Sequence, residues 1–272
     1  MAAIRCSALA LLAALILVAG CGDGDGAPVA PVPEQVVAGH CRERVFEGAR
    51  FTICGYDARR HELALFVDGP DGALRSFEAL RGRLGARGER LRFAMNAGMY
   101  DEAGMPIGLY VEDGRERHRI NTRDGPGNFH LKPNGVFAVA ADGSVAIHES
   151  GAFARARPPV RWATQSGPML VIDGRLHPAF QPNGESRHVR NGVGVVDRRR
   201  AWFVISEEPV SFGRFARFFR DALGCRDALF FDGTVSSLWD PAARRQDAAY
   251  PFGPIAAVFE REAPRAEGRR NQ

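Results

Sequence analysis

Residues 135–148, Gly-Val-Phe-Ala-Val-Ala-Ala-Asp-Gly-Ser-Val-Ala-Ile-His, carry the pattern that decides the fold. Two short apolar runs, at 135–139 and 145–148, flank the dipeptide Asp142-Gly143. Asp-Gly suits the tight turns that join neighbouring antiparallel strands, because both residue types tolerate a positive φ. The stretch therefore predicts a β-hairpin.

Similar units lie on both sides of this hairpin. Asp113-Gly114 and Asp173-Gly174 also separate apolar runs and predict two more hairpin turns. Ser76 to Leu84 predicts a short helix, and Ser211 predicts the cap of a second helix that Gly224 ends. The other predicted strands are 50–56 and 62–67 as an antiparallel pair, 91–95, 108–111, 164–172, 192–196, 201–205 and, last, 228–231.

Many strands and few helices favour the α+β class, with a mixed, largely antiparallel sheet or sheets and a few packed helices in a single domain. The phenylalanines of the second helix, from Phe212 to Phe219, recur at helical spacing. Such a stripe indicates core packing rather than a binding surface.

The N-terminus has the layout of a bacterial lipoprotein signal peptide. Arg5 precedes an apolar run over 6–18, which is shorter than the roughly 20 residues of a membrane span. Small residues then lead to Cys21, the predicted lipid acceptor; an ordinary signal peptide cut near Gly20 is the alternative. We expect an exported chain that is lipid-anchored in the cell envelope and faces the periplasm or the outside. The predicted segments are the signal peptide at 1–20, the lipidated cysteine and flexible tether at 21–38, the globular domain at 39–262 and a disordered tail at 263–272.

Composition narrows the partners. The net charge is +4 and the arginines are scattered, so a nucleic-acid partner is not expected, and no protein partner is evident.

Export favours disulfides, and Cys41 and Cys54 flank a segment able to fold back as a hairpin, so we expect a bridge between them. Cys225 is expected to be a buried, unpaired thiol.

Polar residues collect in four loops beside apolar strands, where sites are usually built. Three of these loops have a structural alternative without a functional role. Asn96 could cap its own turn, Arg187 and Arg190 could form surface ion pairs, and Asp232 could belong to a simple Asp-Gly turn. The only lysine, Lys132, suggests a place for a compact ammonium. The loops are 96–100, 121–135, the pair 165–168 with 187–194, and 232–237.

No histidine or cysteine pair has zinc-ligand spacing. The sequence requires no cofactor, and Ca²⁺ bound by oxygen ligands is the one metal left open.

Taken together, these loops resemble the phosphodiester glycosidase family. The resemblance covers about residues 93–259, and the stretch 131–137 is similar to a bacterial exported branch. The runs that carry it are Asn96-Ala97-Gly98-Met99-Tyr100, Ser166-Gly167-Pro168-Met169-Leu170, Arg190-Asn191-Gly192-Val193-Gly194 and Phe230-Phe231-Asp232-Gly233-Thr234-Val235-Ser236.

The resemblance implies hydrolysis of a sugar-1-phosphodiester at the anomeric C–O bond, with a carbohydrate-phosphate as substrate. Asp232 and Asn96 are the predicted catalytic residues. The predicted substrate- and phosphate-binding residues are Lys132, Ser166, Arg187, Arg190, Asn191, Gly233 and Ser236. A phosphodiesterase, or a lipid-anchored module that binds envelope glycans or glycophosphates without turnover, is the alternative.

Overall fold

The computed structural model describes residues 41–69 and 72–262. The predicted signal peptide, Cys21, tether and tail lie outside these residues, as do positions 39 and 40 of the predicted domain. The strands are β1 (Arg42–Phe46), β2 (Ala49–Asp57), β3 (His61–Phe66), β4 (Asp68–Gly69), β5 (Gly72–Ala73), β6 (Leu91–Asn96), β7 (Tyr110–Glu112), β8 (Arg115–His118), β9 (Gly135–Val139), β10 (Val145–Glu149), β11 (Trp162–Ser166), β12 (Met169–Ile172), β13 (Arg175–Leu176), β14 (Asn191–Asp197), β15 (Arg200–Ser206), β16 (Asp227–Asp232), β17 (Leu238–Asp240), β18 (Arg245–Gln246) and β19 (Ile255–Glu260). The helices are α1 (Phe77–Leu84), α2 (Ser150–Ala156) and α3 (Phe212–Arg217), with a π-helical turn at Phe218–Ala222 and 3₁₀ turns at Gly85–Arg90 and Asn128–His130.

Three larger antiparallel sheets and the two-stranded sheet of β4 and β5 build the described part of the domain. The first has the strand order β1-β2-β15-β14-β16-β12-β13, the second β10-β9-β11-β7-β8 and the third β18-β17-β6-β19-β3. Every strand pair among the described residues is antiparallel. The fold is a single α+β domain, as the sequence predicts.

The three Asp-Gly dipeptides form the predicted hairpin turns. Asp113 and Gly114 have φ of 48° and 78°, and Asp173 and Gly174 have φ of 48° and 76°. Gly143 has φ of 84°, in the turn between β9 and β10. These positions adopt the left-handed backbone region that aspartate and glycine enter most readily.

Two predictions of strand pairing are wrong. β2 pairs with β1 and β15, whereas β3 pairs with β19 in another sheet, so the two strands are not partners. Their connecting turn is held by other elements: Ala58 N donates to Arg199 O at 2.8 Å, and Arg261 N donates to Arg60 O at 2.7 Å. Residues 164–172 form two strands, β11 and β12, in different sheets, separated by Gly167-Pro168.

β16 is not the last strand. β17, β18 and β19 follow it, and β19 lies between β3 and β6, with Ile255 opposite Phe66 and Asn96. All of Ile255 to Phe259 is buried, which identifies a strand covered on both faces.

The predicted helix after Ser211 begins as expected, because Ser211 Oγ accepts a hydrogen bond from Arg214 N at 3.2 Å. It continues as a π-helical turn and ends before Gly224, which has φ of 65°. Phe215, Phe218 and Phe219 are fully buried against the first sheet, which confirms core packing for those three.

The predicted disulfide joins Cys41 to Cys54 across the β1–β2 hairpin. Cys225 is unpaired and buried, as expected, and burial holds the pKa of its thiol well above the ordinary value. It is therefore a packing residue rather than a nucleophile.

Candidate active site

Two strands of the first sheet deliver the site. β14 begins at Asn191 and β16 ends at Asp232, and these two residues are direct partners in the sheet. The loops beyond them meet the loop after β6 and enclose a pocket of about 200 Å³. Its lining residues are Met99, Asn128, His188, Arg190, Phe230, Asp232, Gly233 and Thr234.

Arg190 forms the cationic wall of the pocket although it is fully buried. Its Nε donates to Val210 O at 2.9 Å, and its Nη2 donates to Ser186 O at 3.0 Å. Its guanidinium carbon lies 3.6 Å from the centre of the Phe212 ring. Phe212 is thus the one member of the predicted phenylalanine stripe that supports a site residue.

The charge of Arg190 has no counter-ion among the described residues. None of their carboxylates forms a salt bridge with it, and its Nη1 has no hydrogen-bond partner there. Burial lowers the pKa of the guanidinium to about 10. A buried, unpaired cation is costly unless an anion neutralises it, so this arrangement favours the binding of an anionic group.

Asp232 forms the acidic wall. Its Oδ1 accepts hydrogen bonds from Gly233 N at 2.6 Å and Thr234 N at 2.8 Å, so its own turn fixes the carboxylate. Burial raises the pKa of this carboxyl above the ordinary aspartate value, and the backbone amides oppose the rise. Burial and, to a smaller extent, the nearby charge of Asp232 raise the pKa of Tyr100 to about 12.

A buried amide network ties the two strand ends to β6. Asn191 Nδ2 donates to Asn96 Oδ1 at 2.8 Å and to Asn96 O at 2.7 Å. Ser237 N also donates to Asn96 Oδ1, at 2.9 Å. Ser236 Oγ donates to Asp232 O at 3.1 Å and lies 3.4 Å from Asn191 Oδ1. Asn96 and Asn191 are fully buried, so they fix the loops that carry the charged groups.

Other predicted site residues lie elsewhere. Ser166 is fully buried and donates to Phe231 O at 3.1 Å. Lys132 Nζ donates to Asp124 Oδ1 at 2.6 Å and to Thr122 O at 2.8 Å, within its own loop.

Arg187 is exposed and does not line the pocket. The two arginines are three positions apart, and in an extended chain an odd separation directs side chains to opposite faces. The structure therefore does not bring Arg187, a predicted phosphate-binding residue, into the pocket that Arg190 lines.

A family model described as phosphodiester glycosidase matches residues 89–257, which include every element around this pocket. The chain belongs to the phosphodiester glycosidase family. This agrees with the resemblance of its loops to that family.

Relatives of this phosphodiester glycosidase family member include the uncharacterised protein YigE of Escherichia coli K12. The two are 36% identical over 183 residues, which cover 67% of this chain and 71% of YigE. The fold is similar to the catalytic domain of zebrafish N-acetylglucosamine-1-phosphodiester alpha-N-acetylglucosaminidase, auto-inhibited by its pro-peptide, with a TM-score of 0.56 and 13% identity over 81% of this chain and 82% of that one. A hypothetical protein from Synechocystis has a TM-score of 0.51 and 16% identity, over 81% of this chain and 61% of that one.

Five lining residues of this pocket are not among the site residues predicted from the sequence: Met99, Asn128, His188, Phe230 and Thr234. A signal for His188 was present, because it lies two positions before Arg190 and so on the same face of an extended chain. Asn128 and Thr234 reach the pocket through irregular loops, for which strand periodicity gives no guide.

Two larger clefts, of about 350 and 510 Å³, lie beside the turn at Gly114 and Val160. Charged residues at their rims pair with one another at the surface, as Glu116 does with Arg157 at 3.5 Å. We place the site of this phosphodiester glycosidase family member in the smaller pocket, because it holds the buried unpaired charge. Within residues 41–69 and 72–262, no group of three or more histidine, cysteine, aspartate or glutamate side chains is arranged to hold a metal ion.

Proposed function

We propose that this protein hydrolyses a sugar-1-phosphodiester at the anomeric C–O bond and releases a free sugar and a phosphomonoester. The observation that supports this most directly is the buried, unpaired guanidinium of Arg190 in the same pocket as the carboxylate of Asp232. A phosphodiester carries one negative charge beside an electrophilic sugar carbon. A site that cleaves it at that carbon therefore needs both a cation for the phosphate and a carboxylate near the sugar.

Arg190 is the proposed phosphate ligand. Its free Nη1 can donate a charge-assisted hydrogen bond to a phosphate oxygen, which is stronger than a neutral one. Gly233 keeps the approach open, because a Cβ there would lie 3.4 Å from Arg190 Nη1 and 3.0 Å from the Phe230 ring. The departing phosphate gains charge as the C–O bond breaks, so the same cation stabilises the transition state.

Asp232 is the proposed catalytic carboxylate. Cleavage at an anomeric carbon proceeds through an oxocarbenium-like transition state, which a carboxylate assists as a nucleophile or as a base for water. Its raised pKa makes the ionised form a stronger base than an exposed aspartate. Asn96, Asn191 and Ser236 act as positioning residues that hold the two charged walls in register.

The test is to incubate the protein with a panel of glycosyl-1-phosphodiesters and to identify the products. Free sugar with a phosphomonoester is expected. Sugar-1-phosphate would show P–O cleavage and identify a phosphodiesterase, and saturable binding without product would identify a binding module. D232N is the matched control, because its side chain can still accept the two turn hydrogen bonds but lacks the charge. We expect D232N to lose turnover by about 10³-fold or more while it retains affinity for phosphate.

We also propose that the protein is lipid-anchored in the cell envelope through Cys21. No helix in the described part of the chain is long and apolar enough to cross a membrane. Metabolic labelling with a radioactive fatty acid should mark the full chain and fail to mark C21S. A labelled C21S protein, or an unlabelled wild type, would refute the anchor.

A further inference from the structure

His188 is an exposed residue that lines the pocket, and hydrogen bonds hold its backbone in place. Its main chain forms an antiparallel bridge with Val210: His188 N donates to Val210 O at 3.3 Å, and Val210 N donates to His188 O at 2.9 Å. The carbonyl of Val210 also accepts the hydrogen bond from Arg190 Nε. Val210 therefore helps to position both His188 and Arg190.

The imidazole of His188 has no partner in the part of the chain that the structure describes. Among the described residues it makes no hydrogen bond, ion pair or ring contact, and it is exposed, so solvent can exchange its protons. It lines the same pocket as Arg190 and Asp232, with Tyr100 near Asp232. The adjacent Arg187 is exposed and lies on the opposite face of the chain.

We propose that His188 is the catalytic proton donor to the departing phosphate. This proposal rests on the proposed hydrolysis at the anomeric carbon. A water molecule attacks that carbon while Asp232 accepts one of its protons. The bond from the carbon to the bridging oxygen breaks, and its electron pair stays with the oxygen. The His188 imidazolium donates its proton to this oxygen, so the phosphomonoester leaves as a monoanion.

Proton exchange with solvent then restores both side chains. Histidine is the side chain that most often transfers a proton to a reacting group in the transition state. The phosphomonoester can accept this proton, because its own second pKa is about 6. Arg190 stays charged throughout the reaction and stabilises the same phosphate without donating a proton.

The first measurement compares two forms of the best substrate of the panel, one with oxygen and one with sulfur as the bridging atom. A sulfur leaving group needs no proton. We expect H188Q to lose about 100-fold in kcat on the oxygen form, the lower end for a positioned proton donor, and less than about threefold on the sulfur form. H118Q, which changes an exposed histidine on β8, should match wild type on both. Equal losses of H188Q on the two forms would overturn proton donation.

The pH profile gives a second readout. The wild type should lose kcat on the alkaline side of the imidazole range, and H188Q should lack that limb. A limb near pH 10 that persists in H188Q belongs to Arg190. An unchanged profile in H188Q would contradict the proposal.

Binding of sulfate separates this proposal from the proposed function. Sulfate remains a dianion at every pH used, and the D232N background removes the carboxyl group of the pocket. Affinity should fall as pH rises in D232N and stay constant in the D232N/H188Q double variant. If no diester is hydrolysed, the proposed function fails. The pH dependence of sulfate affinity still shows whether His188 belongs to the anion site. A double variant with the same pH dependence as D232N would exclude His188 from the anion site.

Discussion

Replacing Arg190 with methionine separates a functional cation from a structural one. Methionine keeps an unbranched apolar chain against the Phe212 ring but removes the charge and the free Nη1 donor. We expect R190M to fold, to lose anion binding and to lose about 10²- to 10³-fold in kcat, the usual effect of removing one donor to a developing charge.

The stability change follows from the burial of the charge. The pKa of Arg190 is about 10, whereas an ordinary guanidinium has a pKa of about 12.5. At about 1.4 kcal/mol for each tenfold change, keeping the group charged costs the folded state about 3 kcal/mol at neutral pH. Because the folded-state pKa is the lower one, this cost is fully present below pH 10 and fades only above it.

Lost contacts of Arg190 act in the opposite direction. The hydrogen bonds to Val210 and Ser186 contribute about 1 kcal/mol each, and the desolvated contact with Phe212 contributes up to about 2 kcal/mol. Since no carboxylate is left unpaired, R190M avoids the 3–5 kcal/mol loss, about the usual range, for breaking a buried ion pair. We expect the free energy of unfolding to change by less than about 2 kcal/mol.

The assay is urea unfolding with and without inorganic phosphate. Phosphate at 100 times its Kd should stabilise the wild type by about 2.7 kcal/mol and R190M by nothing measurable. R199M, which changes an exposed arginine in the turn before β15, is the control and should respond like wild type. Equal stabilisation of R190M and wild type by phosphate, or a loss above about 4 kcal/mol without phosphate, would refute the reasoning.

Three further changes test other parts of the structure. Burial raises the pKa of Asp232, so its ionised form destabilises the fold; D232N should be more stable than wild type at neutral pH in urea unfolding. That difference should vanish as the pH falls below about 4, where the unfolded carboxyl is also protonated. C54S should lower the free energy of unfolding by about 3 kcal/mol, because Cys41–Cys54 closes a short loop, and should leave kcat unchanged. N191A removes the two hydrogen bonds to Asn96 and should cost about 1–3 kcal/mol in thermal unfolding while raising KM, since a buried carbonyl is left unsatisfied. A stable N191A protein with normal KM would show that this network does not position the site.

Local signals predicted the hairpins of the fold. The turns at Asp113-Gly114, Asp142-Gly143 and Asp173-Gly174 need only a backbone preference of the residues themselves, and all three form. Partner choice between distant strands was not predictable in this way. β2 and β3 are neighbours in sequence, but their partners β15 and β19 lie far along the chain.

The site was predictable to the extent that motif residues mark strand ends. Asn96, Asn191 and Asp232 each end or begin a strand, and the structure brings them together. The sequence does not reveal which cations join them, because that depends on side-chain direction. Lys132 pairs with a carboxylate of its own loop, and Arg187 does not line the pocket.

The position of β19 constrains the order in which the parts of this protein can fold. β19, the last strand among the described residues, occupies the space between β3 and β6, and Ala97 N donates to Pro254 O at 2.7 Å just before it. A nascent chain that has not yet produced residue 255 leaves two facing strand edges without hydrogen bonds, and Asn96 cannot settle beside the pocket. The pocket can therefore take its final form only after residue 255 has been made.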